Sequence, residues 1–421
     1  MVTIDNSPDV IVIGSGPGGA TAATLLAQRG KKVVVFERDH FPRFHIGESL
    51  IPQTYHVLQR LDMLPKMKSS HFIKKYSVQF VSQRGRLSEP FYFWDHRPTE
   101  ASQTWQVRRS EFDHLMMQNA REHGVTIHEG ARVLDVIFEG DRAVGVKVQL
   151  EGEDTPREVR AKVVVDASGQ QSIIMGKLGL REWDPVLRKA AVWTYWKGAF
   201  RDVGRDEGAT IVLQTQGKHG WFWYIPLHDN IVSVGVVAGY DYLFKNRTTT
   251  DFEQIYFEEV AKCPGLQPRL EGATRCDIFR AQKEYSYRAN KAAGDGWVLC
   301  GDAFGFLDPL YSSGVLLALT SGSMAADAVA DGLDRGDTSA AQLGRWEGEF
   351  VAGMDRMRRL VCEFYDGFSF GRFVKKHPNL KGFVTDVLIG DVFKDEVDVL
   401  WPLIDEMRAE AAAGVQAGTP E

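Results

Sequence analysis

VIVIGSGPGGATAATLLAQRGKKVVVFE, residues 10–37, decides the fold. The run Val10 to Ile13 is unbroken and β-branched, which reads as a strand buried on both faces. It ends in Gly14-Ser15-Gly16-Pro17-Gly18-Gly19, a helix is expected from Ala20 to Gln28 with Gly30 as its stop, and Lys32 to Phe36 forms a second strand closing on Glu37. Strand, glycine turn, helix and strand in this order make a Rossmann-type βαβ unit for a dinucleotide. Gly14 permits the tight turn, Gly16 lets backbone approach a pyrophosphate, and Gly19 lets helix pack on strand, while the helix N-terminus holds the anion. Glu37 stands where an acid accepts from ribose hydroxyls. Ser15, Pro17, Ala20 and Arg38 complete the expected contact set.

At 421 residues the chain has room for two core-bearing units and a large cofactor. A 44% hydrophobic and 25% charged composition is that of a folded protein. The net charge of −6 gives no long-range attraction to nucleic acid or an anionic membrane. Cys263, Cys276, Cys300 and Cys362 show no CxxC spacing, so reduced thiols in a cytoplasm are expected and no resident metal. No basic region and cleavage site mark the N-terminus, and no stretch of about 18 apolar residues is found, so no membrane association is expected.

Further along, the Arg108-Arg109 pair leads into the helical pattern SEFDHLMMQNAREHG. A strand meander is expected from Thr126 to Val148 with a turn at Glu139-Gly140-Asp141, then a buried strand Val163 to Val165 closing on Asp166. Between Glu182 and Tyr287 the runs AAVWTYWKGAF and IVSVGVVAGY read as an antiparallel sheet layered on the nucleotide unit. Trp297 to Cys300 returns as a buried strand, a helix follows from Gly314 to Gly332, and Ala340 to Ala411 is largely helical, with AEAAAGVQAGTPE fraying. The expected fold is α/β: a Rossmann-type nucleotide domain from 1–181 and 288–335, an inserted antiparallel β-sheet substrate layer at 182–287, and a helical C-terminal region at 336–421.

The loop Gly301-Asp302-Ala303 after a buried strand, together with the N-terminal glycines, resembles FAD enzymes of the p-hydroxybenzoate hydroxylase superfamily, where the aspartate bonds the ribityl chain. The other reading of Asp302 is a helix cap. Phe44 to Pro52, with Gly47-Glu48-Ser49, and Arg109 match the same superfamily, although Arg109 also suits a surface ion pair. The resemblance implies FAD contacts at Ser49, Arg109, Val133, Asp302, Pro309, Gly314 and Val315.

Three further segments narrow the resemblance. Trp221 to Pro226 matches W-x-W-x-I-P, Phe306 to Gly314 matches F-x-x-P-x-x-S-x-G, and Phe72-Ile73-Lys74-Lys75 precedes an aromatic strand. With the glycine unit they make the chain resemble a flavin-dependent halogenase from Val10 to Leu403. On a strand Trp221, Trp223 and Ile225 share one face. The resemblance implies a wall of indoles keeping an organic substrate from the flavin; sheet core is the plain alternative. Pro309, Ser312, Ser313 and Gly314 form a turn onto a helix N-terminus whose free N–H groups suit chloride or bromide at Ser313 and Gly314, or support the flavin ring. By resemblance, reduced FAD activates oxygen, bound halide becomes hypohalous acid, and this travels to a lysine that directs halogen onto an electron-rich ring. Lys75 aligns with the family lysine ahead of Lys74. Its amine works only where desolvation lowers the pKa; two surface lysines are the alternative.

Tryptophan-type members carry a glutamate just before the serine pair, where this chain has Tyr311. The chain therefore resembles the branch acting on phenols or on pyrroles held by a carrier protein. No second glycine motif exists for NAD(P)H, and Asp166-Ala167-Ser168-Gly169-Gln170 lacks the D-G-x-x-S-x-x-R pattern of single-component hydroxylases, so a separate flavin reductase is the expected partner. An aromatic hydroxylase, an isoprenoid-type reductase and a non-catalytic FAD-binding protein remain open on sequence.

Overall fold

The computed structural model describes residues 7–283 and 285–416, with side chains to 411. In chain order, the elements that build the site are β1 (Val10–Ile13), α1 (Pro17–Gln28), β2 (Val33–Phe36), β3 (Ile73–Lys75), β4 (Ser77–Val81), α2 (Arg109–Glu122), β5 (Thr126–His128), β6 (Val163–Asp166), β7 (Lys189–Lys197), β8 (Thr210–Gln214), β9 (Gly220–Pro226), β10 (Ile231–Gly239), β11 (Trp297–Leu299), α3 (Ser313–Arg335) and α4 (Glu347–Tyr365).

The central sheet runs β11, β6, β1, β2, β5, all parallel, with Ala293–Gly294 as an antiparallel edge. Every residue of β1, β2 and β6 is buried, which explains the absence of alternation in their sequences. α1 starts at Pro17, three residues before the expected Ala20, because proline is pre-shaped for the first helical turn and lacks only an N–H that would be unpaired there. Glycine is obligatory at two contacts of this helix. A Cβ on Gly19 would sit 2.1 Å from the Gly14 carbonyl oxygen, and one on Gly322 of α3 would sit 2.4 Å from that of Gly18. α1 and α3 therefore meet backbone to backbone over the sheet.

The second sheet runs Thr274–Arg275, β7, β10, β9, β8, β4, Phe91–Tyr92, with Arg280–Lys283 also paired to β7. It is not confined to 182–287, nor wholly antiparallel: β4 joins β8 in parallel, Val78 opposite Thr210. Parallel pairing of remote segments leaves no hairpin turn to read. Likewise Thr126–His128 leaves the expected meander and pairs with β2 at the central sheet's edge. Along β9, period two sends Trp221, Trp223 and Ile225 toward the main core, and Phe222 and Tyr224 into a second core beneath the helix Phe252–Ala261.

α3 runs beyond its expected ends and stops at Gly336, φ +71°. Among the described residues it alone is long and apolar enough to cross a membrane, a feature that scattered Ser, Thr and Gly hide in the sequence; 78% of its most apolar stretch is buried inside the protein. The segment expected to fray from Ala409 is helical as far as Gln416. Residues 1–6 and 417–421, including the N-terminal and tail expectations that fall there, lie outside the described residues.

Candidate active site

A cleft of about 450 Å³ opens between the β1–α1 turn, the segment 44–49, the start of α3 and the inner face of the second sheet. That volume is in the range of small-molecule sites. Gly14, Gly16, Pro17, Glu37 and Arg38 line one end, as does Gly18, which spacing did not single out. Ser15 and Ala20 are buried behind the lining, and Gly19 acts through helix packing. The Ser15 N–H donates to Glu37 Oε2 at 2.8 Å and the Asp39 N–H to Oε1 at 3.1 Å, with the Arg43 guanidinium 3.5 Å away. Glu37 is thus a buried, oriented acceptor at the tip of β2.

Arg109 is not a surface residue. It is buried, bidentate to Asp113 one turn along α2 (2.7 and 3.0 Å), and donates to the Ile46 carbonyl at 2.6 Å, tying the segment 44–49 to the helix. Burial works to raise the Asp113 pKa, but the guanidinium outweighs it and holds the carboxyl below its ordinary value. Asp302 lines the cleft from the turn Gly301–Ala303, and Val133 lines it from the strand Ala131–Glu139. Burial pushes the Asp302 carboxyl up to about 6, partly offset by the charge of Arg109. Such a desolvated acceptor needs hydroxyl donors, and a polyol chain such as ribityl supplies them. It is not the cap of α3, whose N-cap is Ser312.

Ser312 adopts a left-handed backbone, φ 58°, and lines the cleft with Pro309, Gly314 and Val315. Ser313 is only 1% exposed and its side chain stays behind the lining, so an anion there meets first-turn amides of α3 rather than the Ser313 hydroxyl. Tyr311 is buried against Phe364. The unpredicted members of this region are Asp308 and Tyr365. Burial pushes the Asp308 carboxyl up to about 7. It accepts from the Tyr365 hydroxyl (3.2 and 3.1 Å), which itself accepts from Trp221 Nε1 at 3.0 Å. α4 thereby fastens the tryptophan strand to the proline loop. Asp308 was visible inside the F-x-x-P motif; Tyr365 gave no signal.

Trp221 and Trp223 both line the cleft, ring centroids 6.4 Å apart, and Trp193 from β7 adds a third indole 6.1 Å from Trp223. Trp223 Nε1 donates to Ser233 Oγ at 3.1 Å. Room for this ring comes from Gly235 opposite it on β10, where a Cβ would lie 2.2 Å from the indole. Glu48, buried at the same wall, accepts from the Tyr195 hydroxyl at 2.8 Å, and burial raises its carboxyl to about 7.

The lysine pair is separated by the strand period. On β3, Lys74 is exposed and Lys75 is 2% exposed. Lys75 Nζ donates to Ser49 Oγ at 2.8 Å and to the Leu50 carbonyl at 3.0 Å, both neutral, and lies 5.7 Å from the Phe93 ring centroid. Burial pushes its pKa down to about 7. Ser49 is hydrogen-bonded to Thr210 (2.8 Å), which also accepts from Gln106 Nε2 (2.8 Å). Ser49 and Thr210 line the cleft, so the amine stands one hydroxyl behind its wall.

The chain is similar to known proteins over nearly its whole length. The tryptophan halogenase family model matches residues 9–96 and 83–369. A brominase of 1H-pyrrole-2-carbonyl peptidyl-carrier protein from Pseudoalteromonas luteoviolacea is 33% identical over 93% of this chain and 93% of its own length. The corresponding chlorinase from Pseudomonas fluorescens is 30% identical over 97% and 94%. The solved structure of the flavin-dependent brominase Bmp2 superposes with a TM-score of 0.84 at 30% identity, covering 96% of this chain and all of that one. With the glycine unit, the indoles and the proline loop lining one cleft, the chain belongs to the tryptophan halogenase family, the flavin-dependent halogenases, enzymes whose cofactors are FAD and a halide ion.

Proposed function

We propose that this halogenase chlorinates or brominates an electron-rich ring, a pyrrole held by a carrier protein or a phenol, with Lys75 as the residue that delivers halogen. The observation that carries the reading is a fully buried amine, bonded only to neutral oxygens, directly behind the cleft wall. The chemistry that reduced FAD supplies when bound is oxygen activation, which converts halide to hypohalous acid. Gly14, Gly16, Pro17, Glu37, Arg38 and Val133 would hold its nucleotide half; Ser49, Arg109, Asp302, Pro309, Gly314 and Val315 would hold its ribityl and ring half. The amides of Ser313 and Gly314, at the positive end of a 23-residue helix, hold halide. Trp221 and Trp223 bar the substrate ring from the flavin. With its pKa held down near 7 by burial, the Lys75 side chain can donate a hydrogen bond to the acid as an ammonium or, as a neutral amine, take halogen from the oxygen–halogen bond with release of water.

The pyrrole relatives and Tyr311 in place of a glutamate support a carrier-bound or phenolic substrate over free tryptophan. A flavin reductase delivers reduced FAD. Residues 1–181, apart from β4, and 288–335 form the FAD domain, 182–287 with β4 the substrate layer, and 336–416 the helical region bracing it. The free cysteines fit a cytoplasmic setting. The test supplies a flavin reductase, FAD, chloride or bromide and a panel of phenols and carrier-loaded pyrroles, read by mass spectrometry beside Lys75→Ala. Halogenated product from the wild type only, with flavin oxidation in both, supports the proposal. Equal product from the variant overturns the role of Lys75.

A further inference from the structure

Away from the cleft, His71, Glu111 and His228 converge from three elements: the approach to β3, the first turn of α2 and the turn after β9. His71 Nε2 lies 2.8 Å from Glu111 Oε2, and His228 Nε2 lies 3.1 Å from Glu111 Oε1. The two imidazoles meet edge to face with centroids 4.3 Å apart. All three ligand atoms fall within 4.8 Å of one another. Separations of 40 and 117 residues hide the group from any reading of spacing.

We propose that these three residues form a binding site for a divalent transition-metal ion of the zinc type. Two imidazoles and a carboxylate are a donor set that zinc accepts, with metal–ligand distances of about 2.0–2.2 Å, which place tetrahedral ligands roughly 3.4 Å apart. To reach that spacing, His71 and His228 must back away from the Glu111 carboxylate by about 0.6 and about 0.3 Å. Asp229 Oδ2 lies 3.5 Å from His228 Nε2, beside the group of three, which leaves the fourth position to solvent. His228 is buried, with its Nε2 turned to the Glu111 carboxylate. The opposing charge is Arg108, 3.1 Å from Glu111 and 3.6 Å from Asp229; being one-third exposed, it can swing out as the ion enters. Bound metal would staple together the start of the lysine strand, the helix carrying Arg109 and the end of the tryptophan strand.

The experiment uses the full chain after dialysis against a chelator, titrated with Co²⁺ and then Zn²⁺. Equilibrium dialysis, the visible absorption of coordinated cobalt and thermal unfolding are followed together. One equivalent of Co²⁺, displaced by Zn²⁺, is expected, with a higher melting temperature. His71→Ala, at an exposed position, should weaken binding about tenfold or more while still loading FAD. Arg108→Ala should tighten it. No ligand-field absorption in the wild type, or cobalt affinity unchanged in both His71→Ala and His228→Ala, overturns the site. Neither outcome bears on halogenation, which the mass-spectrometric assay reads separately.

Discussion

Replacing Lys75 by methionine should make the protein more stable and abolish halogenation, and the gain in stability should depend on pH. The folded-state pKa is about 7 against an ordinary 10.5, so the folded chain favours the neutral amine. Stability is therefore fully reduced below pH 7, where the ammonium must be buried, and recovers as pH rises toward 10.5. At 1.36 kcal/mol per pKa unit, the cost at acidic pH is roughly 5 kcal/mol. Methionine fills similar space without charge but strands the Leu50 carbonyl, which costs about 1–3 kcal/mol at every pH. The variant should exceed the wild type by about 2–4 kcal/mol near pH 6, with the margin shrinking by roughly 3 kcal/mol near pH 9. Urea unfolding of both proteins at the two pH values measures this, alongside FAD loading and product formation. A margin that is the same at both pH values would refute the depressed amine, and wild-type product from the variant would refute its role.

Asp302→Asn should raise the melting temperature of the FAD-free protein at pH 7, because the folded carboxyl titrates above its unfolded value and stability is lost as pH climbs through about 4 to 6. The same change should weaken FAD binding about tenfold, measured by flavin fluorescence, through loss of a charge-assisted hydrogen bond. Arg109→Met leaves the buried Asp113 with only the longer 3.3 Å pair to Arg43 and should cost about 1–3 kcal/mol in denaturant unfolding. Gly235→Ala drives a methyl into the Trp223 indole and should cost about 1–3 kcal/mol. Its halogenated product per FAD oxidised should fall as the wall shifts.

What the sequence made legible is what short-range geometry governs. The β1–α1 turn is written in consecutive glycines and strand period places Trp221 and Trp223 on one face, whereas the choice of Lys75 over Lys74 comes from the family resemblance. Lateral neighbours were illegible. Trp193 joins the wall because β7 and β9 both flank β10, and Gly235 makes room for Trp223 across a strand pair; neither follows from local spacing. Arg109 was ambiguous because its partner Asp113 is an i+4 neighbour that would look the same on a surface helix; only burial separates the readings. Tyr365 comes from a helix more than 140 residues beyond Trp221, and tertiary packing alone unites them.

The alternation along β9 carries a consequence for folding errors. Pairing displaced by a single position against β10 would turn Phe222 and Tyr224 toward the flavin and hide both indoles under the helix Phe252–Ala261. Backbone content would barely change in such a species, and its far-ultraviolet spectrum would pass for native. Under the proposed function the partition between oxidant and aromatic substrate would nevertheless be gone, so for this sheet chemical selectivity would report correct folding where secondary structure does not.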